Sequence, residues 1–411
     1  NTDWNISRQR FFGVPFPVWY PVGHDGEADH DRPIFAAEDA LPVDPSVDVP
    51  EGYEESQRGQ PGGFVGDGDV MDTWATSSLT PLIAGGWEDD PDLFERVFPM
   101  DLRPQAHEII RTWLFSTVVR ADLEFGSLPF RDVAVAGWVL DPDRKKMSKS
   151  KGEVLTPLPL MAAHGADAVR YWAACGRPGT DTAFDEAQVK VGRRLAIKIL
   201  NASRFCLGRI AGPETDGVAA FVSPTAVREP LDRAMLRRLA GVVDEATTAF
   251  EAYDYARALE RTEAFFWSFC DDYLELVKAR AYGPPGEEGP ASARAALALA
   301  LSVTLRLFAP VLPYACEEVW SWWQPGSVHR ASWPEASELD GAAGPDDSVL
   351  TVTAEVLGEV RRAKTAAKRS MRWPVARLEV AGPSDHLVAV RAAADDLADA
   401  AGVQAVSCRE A

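Results

Sequence analysis

The rhythm of apolar positions changes near residue 186. Before that point the apolar runs are short and mixed. Val133-Ala-Val-Ala-Gly-Trp-Val139 reads as a buried strand, and Gln105 to Arg120 carries a helical pattern between such runs. Short apolar strands alternating with helices predict an α/β unit on a parallel sheet. From Gln188 to about Trp323 the pattern is helical almost throughout. Leu259, Phe266, Phe269, Cys270, Tyr273, Leu276 and Val277 recur at steps of three and four, while Glu260, Glu263, Asp271 and Glu275 fall on other faces. This region predicts an all-α helical bundle, interrupted by Pro284-Pro-Gly-Glu-Glu-Gly-Pro290 and resumed from Ala291 to Phe308. Its aromatics Phe265, Phe266, Trp267 and Phe269 read as core. A small unit follows: a basic amphipathic helix, the apolar run Leu378-Glu-Val380 and an Ala-rich final helix.

Composition narrows the class. The 411 residues suffice for two or three domains, and 46% hydrophobic with 25% charged residues excludes a disordered or fibrous chain. No run of about 18 apolar residues lacks a charge, so no membrane span is expected. Asn1 opens the chain without an initiator Met or signal core, which reads as a piece of something longer. Cys175, Cys206, Cys270, Cys316 and Cys408 lie far apart, as expected of reduced thiols in a cytoplasmic protein with no zinc ligand set.

With 42 Lys+Arg against 62 Asp+Glu the formal charge is −20, which on its face argues against a nucleic-acid partner. The distribution argues otherwise. His24 to Arg58 holds eleven acids against two bases, and Glu335 to Asp347 holds five acids and no base; both read as solvated loops or linkers. Val191 to Ile210 carries Arg193, Arg194, Lys198, Arg204 and Arg209 with no acid. Arg361 to Arg377 carries seven cations, also with no acid. Either run alone fits a solvated helix face as well as an anion site.

The sharpest local feature is Asp143-Arg-Lys-Lys-Met-Ser-Lys-Ser-Lys-Gly152, after the expected strand. Clustered lysines among small residues at a strand end suit a phosphate chain, and their charge can oppose that of a departing pyrophosphate. A solvated basic turn would look similar.

Lys146-Met-Ser-Lys-Ser150 is identical to the signature of class I aminoacyl-tRNA synthetases, and other segments resemble that family in the same order. Trp4 to Tyr20 resembles its return to the catalytic domain after the editing insertion. Asp69-Val-Met-Asp-Thr-Trp-Ala-Thr-Ser-Ser78 resembles the valyl members, with Thr73 and Ser77 separating them from isoleucyl ones. Arg103-Pro-Gln-Ala-His-Glu-Ile-Ile-Arg-Thr-Trp113 and Gly165-Ala-Asp-Ala-Val-Arg-Tyr-Trp172 also look valyl. Gly192-Arg-Arg194, Asn201-Ala-Ser-Arg-Phe205 and Asp271 to Lys278 resemble the anticodon-binding region.

The resemblance implies the second half of a Rossmann-like catalytic domain (1–152, with an acidic insertion at 24–66), and a connecting stem-contact region (153–186). An anticodon-binding bundle (187–340) and a small basic C-terminal α/β unit (341–411) would follow. It implies ATP-dependent formation of valyl-adenylate and transfer to tRNA(Val), with Mg²⁺ entering as the ATP complex, in a monomer. Trp74 and Trp113 are expected to wall the amino-acid side chain, with Asp72 near its ammonium. Gly137, Trp138 and Val139 are expected to meet adenine through the backbone. Lys146 and Lys149, with Ser148 and Ser150, are expected to stabilise the triphosphate, and Arg193, Arg194, Lys198 and Arg204 to hold tRNA. His107 and His164 read as structural hydrogen-bonders rather than general bases.

No H-x-G-H occurs in the chain and no editing domain is legible, so this stretch alone is expected to be inactive. The loop where some relatives carry a zinc ribbon has no Cys, so no metal is expected. Two alternatives remain: an inactive tRNA-binding fragment or paralogue, and an isoleucyl relative.

Overall fold

In the computed structural model, residues 3–145, 147, 156–210, 223–284 and 286–410 are described, and the chain divides into two compact units, Asn1–Gly137 and Trp138–Ala411.

The first unit opens with five short strands: β1 (Ser7–Arg8), β2 (Val18–Pro21), β3 (Ile34–Phe35), β4 (Phe64–Gly66) and β5 (Val70–Met71). β2 is the centre of an antiparallel sheet in the order β3-β2-β4, and β1 pairs antiparallel with β5. The first acidic stretch is therefore not a linker. It is wrapped onto this sheet, where Trp19 and Phe64 are buried. Trp19 Nε1 donates to the Asp48 carbonyl at 3.1 Å, and Arg58 donates to the carbonyls of Pro45 and Asp48 at 2.8 and 2.9 Å. Strands this short leave no period in a sequence.

Three short helices follow, α1 (Thr73–Ser77), α2 (Thr80–Gly85) and α3 (Pro91–Val97). β6 (Met100–Ala106) then runs parallel to β7 (Phe130–Ala136), in register from Met100↔Phe130 to Ala106↔Ala136, with α4 (Phe115–Phe125) in the crossover. The parallel pair was expected, but its boundaries differ. Gln105 and Ala106 end the strand instead of starting the helix, which begins after a 3₁₀ turn and a π turn and runs to Phe125. β7 also starts three residues early and is not buried: only Phe130 is enclosed, while Arg131, Asp132 and Val133 are exposed. Alternating Val and Ala specify a strand; burial additionally needs a layer packed on it.

The second unit starts with β8 (Val139–Leu140), parallel to β9 (Thr182–Ala183), with α5 (Pro157–His164) and α6 (Ala166–Ala174) between them. The bundle comprises α7 (Glu186–Ile210), α8 (Pro230–Glu251), α9 (Tyr255–Ser268), α10 (Leu274–Ala281), α11 (Glu288–Phe308) and α12 (Pro313–Ser321). Leu195, Met235, Leu236, Leu239, Leu276, Leu297 and Phe308 are fully enclosed in its core, joined by Phe265, Phe266 and Phe269, while Trp267, also read as core, is only half-buried against it. By length and composition α11 could cross a membrane, but most of it is buried among the other helices. Gly192 lets α7 approach α6, since a Cβ there would lie 2.6 Å from that of Tyr171.

The chain closes with α13 (Ser348–Ala366), β10 (Leu378–Gly382), α14 (Ser384–Ala392), α15 (Ala394–Ala401) and β11 (Val406–Glu410). The Ala-rich end is thus two helices and a strand, with β11 parallel to β10. Val390, Leu397 and Val403 belong to the same hydrophobic cluster as the bundle. The second acidic stretch is no linker either: Leu339 and Ala342 are buried, and Arg233 donates to the carbonyls of Gly341 and Ala343.

A buried ionic cluster joins α8, α10, α11 and α15. Both Arg280 Nη groups donate to Asp232 at 2.8 Å, Tyr273 and Ser292 donate to the same carboxylate, and Arg280 also holds Asp396. Asp232 has no solvent exposure, so these donors replace the water that an isolated carboxylate would need.

Candidate functional site

Within the first unit the expected substrate-binding segment is built around Asp72. Its Oδ1 accepts the Trp74 amide at 2.7 Å, capping α1, and its other oxygen is paired with Arg8. The Asp72 amide donates to the Ile6 carbonyl at 2.6 Å, which fastens β1 beside the helix. Asp72 is thus buried and doubly engaged, and Arg8, which the sequence reading passed over, supplies its counter-charge. Trp74 is half-buried on α1.

Trp113 is only 3% exposed, which leaves little of its ring as a wall for a ligand. The indole N–H donates to the Ser77 carbonyl at 2.8 Å, Phe130 stacks 6.0 Å away, and the Arg103 guanidinium lies 3.9 Å from the ring centroid. Burial pushes the Arg103 pKa down. Trp113 therefore positions α1 from beneath.

Gln105, inside a motif quoted for other reasons, is the residue sequence reasoning missed. It is 6% exposed on β6, and neither its amide nitrogen nor its oxygen has a hydrogen-bond partner among the described residues. An unpaired buried carboxamide costs about 1–3 kcal/mol, so such a group calls for a ligand or water. β6 also carries Asp101 and Arg103, so its pattern did not single Gln105 out.

In the second unit, Trp138 has both backbone groups engaged: its N–H donates to Asp181 at 2.8 Å and its carbonyl accepts from Thr182 at 2.9 Å. Alternation along a parallel ladder turns the backbone groups of Val139 toward the opposite edge, and its side chain is exposed. Among the described residues no hydrogen bond occupies the Val139 backbone groups, and Gly137 ends the first unit. Asp141 then closes a tight turn, accepting the Lys145 amide on its side chain at 2.7 Å. Lys146, Ser148, Lys149 and Ser150 lie outside the described residues.

The cations expected to hold tRNA share α7 but not one site. Lys198 lines a cavity of about 250 Å³ with Asn201, Phe205, Cys270, Glu275 and Lys278, and pairs with Asp271 at 3.1 Å. Burial pushes the Cys270 thiol up to about 12, which makes it an inert wall. Arg193 lines a larger groove of about 690 Å³ beside His164 and Tyr314, and donates to the Ala163 carbonyl. His164 Nε2 lies 3.2 Å from Glu186, a structural contact as expected. Arg194 is exposed, and Arg204 lies 5.4 Å from the Trp322 ring. No group of three His, Cys, Asp or Glu side chains among the described residues is arranged to hold a metal.

Comparison with known proteins decides the family. Residues 1–185 match the model of the class I tRNA synthetases (I, L, M and V), and residues 232–380 match that of the anticodon-binding domain of tRNA ligase. The chain belongs to the class I tRNA synthetases. It is 64% identical over 404 residues to the valine--tRNA ligase of Thermobifida fusca, covering 98% of this chain and 45% of that protein. With that of Salinispora tropica it shares 59% over 428 residues, covering 100% and 49%. The chain thus spans about half the length of these curated relatives. The fold matches a crystal structure of an Agrobacterium radiobacter K84 LeuRS in ternary complex with tRNA and LeuAMS, with a TM-score of 0.64 and 23% identity over 84% of this chain and 44% of that one. α7, with its cluster of cations, lies between the two matched segments of this synthetase chain.

Proposed function

We propose that the chain is part of a cytoplasmic valine--tRNA ligase, supplying one portion of the adenylate-forming site and the tRNA-binding body. The observation that carries this reading is its 64% identity to such a ligase over nearly its whole length. The divisions 1–152, 153–186, 187–340 and 341–411 serve catalysis, stem contact, anticodon binding and a basic C-terminal role.

Lys146 and Lys149, with Ser148 and Ser150, stabilise the triphosphate while the valine carboxylate attacks the α-phosphorus and pyrophosphate leaves. This chemistry relies on positioning and preorganised charge rather than a covalent protein nucleophile. Mg²⁺ enters with ATP. Asp72 holds α1 so that Trp74 faces the valine side chain, and Trp113 positions the same helix through the Ser77 carbonyl. The unpaired carboxamide of Gln105 takes a polar group of the adenylate. Val139 offers its outward-facing backbone edge to adenine. In the bundle, the cavity beside Lys198 and Lys278 accepts an unpaired base against Phe205, with the lysines near its phosphates. Arg193, Arg194 and Arg204 meet tRNA at other points along α7.

In the longer protein that contains this chain, Lys149→Ala is expected to cut valine-dependent ATP–pyrophosphate exchange at least ~100-fold. Affinity for tRNA is expected to stay within about threefold. Retained exchange with lost tRNA affinity would move the loop from chemistry to RNA binding. Exchange driven by isoleucine and not valine would favour the isoleucyl alternative.

A further inference from the structure

The basic window 361–377 divides into an engaged half and an exposed half. Arg361 donates to the Asp271 carbonyl at 2.9 Å, and Arg362 pairs with Glu359. Lys364 is 6% exposed and donates to the carbonyls of Met371 and Ala401 at 2.9 and 2.7 Å. That buried ammonium holds the following turn from beneath. The amides of Lys368, Arg369 and Trp373 donate to the carbonyls of Thr365, Lys364 and Ser370 at 2.8–2.9 Å, and Lys368 adopts a left-handed φ of 52°. The turn is therefore preorganised.

On it, Met371 and Trp373 each stand 49% exposed. The Arg369 guanidinium lies 4.3 Å from the Trp373 ring, and neither Lys368 nor Arg372 has an ion-pair partner among the described residues. Cations past a helix C-terminus oppose its dipole, which accounts for Lys368 and Arg369 just beyond Ala366. It does not account for Arg372 or for an exposed indole and thioether beside it.

The same basic window also meets a wall of the bundle cavity at its start. Arg361 binds Asp271, which pairs with Lys198 and adjoins Cys270 in the cavity wall. Arg361 lies in the last two turns of α13, and Lys368 follows two residues after its end at Ala366. The window thus touches the cavity wall at Arg361, and its exposed cations stand beside an aromatic ring, in a chain whose net charge is −20.

We propose that this turn is a second RNA contact, in which one unpaired base stacks on Trp373 while Lys368 and Arg372 hold flanking phosphates. The proposal rests on the reading that the second unit binds tRNA. Aromatic faces bordered by cations suit single-stranded nucleic acid, because every base offers a π face and every linkage a charge.

The test measures binding of an unmodified tRNA transcript to the full chain across a salt series. Trp373→Ala is expected to weaken affinity roughly tenfold without changing the salt slope, and Trp373→Phe to restore it to within about threefold. Lys368→Ala with Arg372→Ala is expected to lower the slope by about 1.4, or 0.7 per phosphate. Unchanged affinity in the first variant together with an unchanged slope in the double variant overturns the proposal, including where the patch binds an acidic peptide instead. Lys198→Ala serves as the reference. If it loses affinity while the patch variants do not, only this inference fails. If the unsubstituted chain binds no tRNA, the assigned role of the second unit fails with it.

Discussion

The two units handle apolar surface in opposite ways. In residues 138–411 the large aliphatic and aromatic side chains of a bundle built on the long helices α7, α8 and α11 converge on one cluster, which reaches as far as α15. In residues 1–137 the helices are short, the sheets have two or three strands, and Phe11, Phe12, Ile83, Phe115 and Leu123 stand in solvent. Length of element is the cause. A helix of about 20 residues brings five or six apolar positions to one face, whereas a two-residue strand brings one. The first unit spends its order on local polar fastenings such as Asp72–Arg8 and the Arg58 carbonyl contacts, and these position a site without forming a deep core.

That contrast can be broken by substitution. Asp232→Ala is expected to have the largest effect, about 3–5 kcal/mol lost in urea unfolding followed by circular dichroism, because Arg280 would keep its charge in the interior with half its partners gone. A loss below about 1 kcal/mol would mean water replaces the carboxylate. Leu236→Ala, at a site with no exposure, is expected to cost about 2–5 kcal/mol. The matched truncation in the first unit, Val133→Ala on the open strand β7, is expected to cost under ~1 kcal/mol. Equal losses at the two sites would erase the distinction between the units.

The smallest effect concerns acid. Burial raises the Glu338 carboxyl, but the Arg306 guanidinium and the Glu335 amide outweigh it, so the group titrates below its ordinary value of 4.5. A depressed folded pKa contributes stability above the unfolded pKa and loses it as pH falls through the folded one. Glu338 is 40% exposed, which limits the contribution to about 0.5 kcal/mol. The stability difference between the unsubstituted chain and Glu338→Gln is expected at pH 7 and absent well below pH 4.5. A difference that persists in acid would assign the effect to packing.

Legibility followed the same division. The long helices of the bundle could be read because their apolar positions recur over about six turns, and the break at Pro284–Pro290 because of its Pro and Gly residues. The acidic stretches are solvated loops, as one expectation had it, but not linkers, because contacts from outside them, Trp19 for the first and Arg233 for the second, hold them in place. At the site, Asp72 and Trp113 were recognised as important, but their partners Arg8 and Ser77 come from other segments and no spacing announces them. Gln105 could be noticed only once burial had shown its amide to be unpaired.

By itself the sequence determined the family, through ordered motifs, and the change of style near residue 186, through apolar period. Both are local properties of the chain. Tertiary structure alone decided which charges remain available. Lys364 and Lys368 lie in one unbroken basic run, yet one is buried against carbonyls and the other faces solvent. Charge is written in composition, but its availability depends on what the folded chain places beside it.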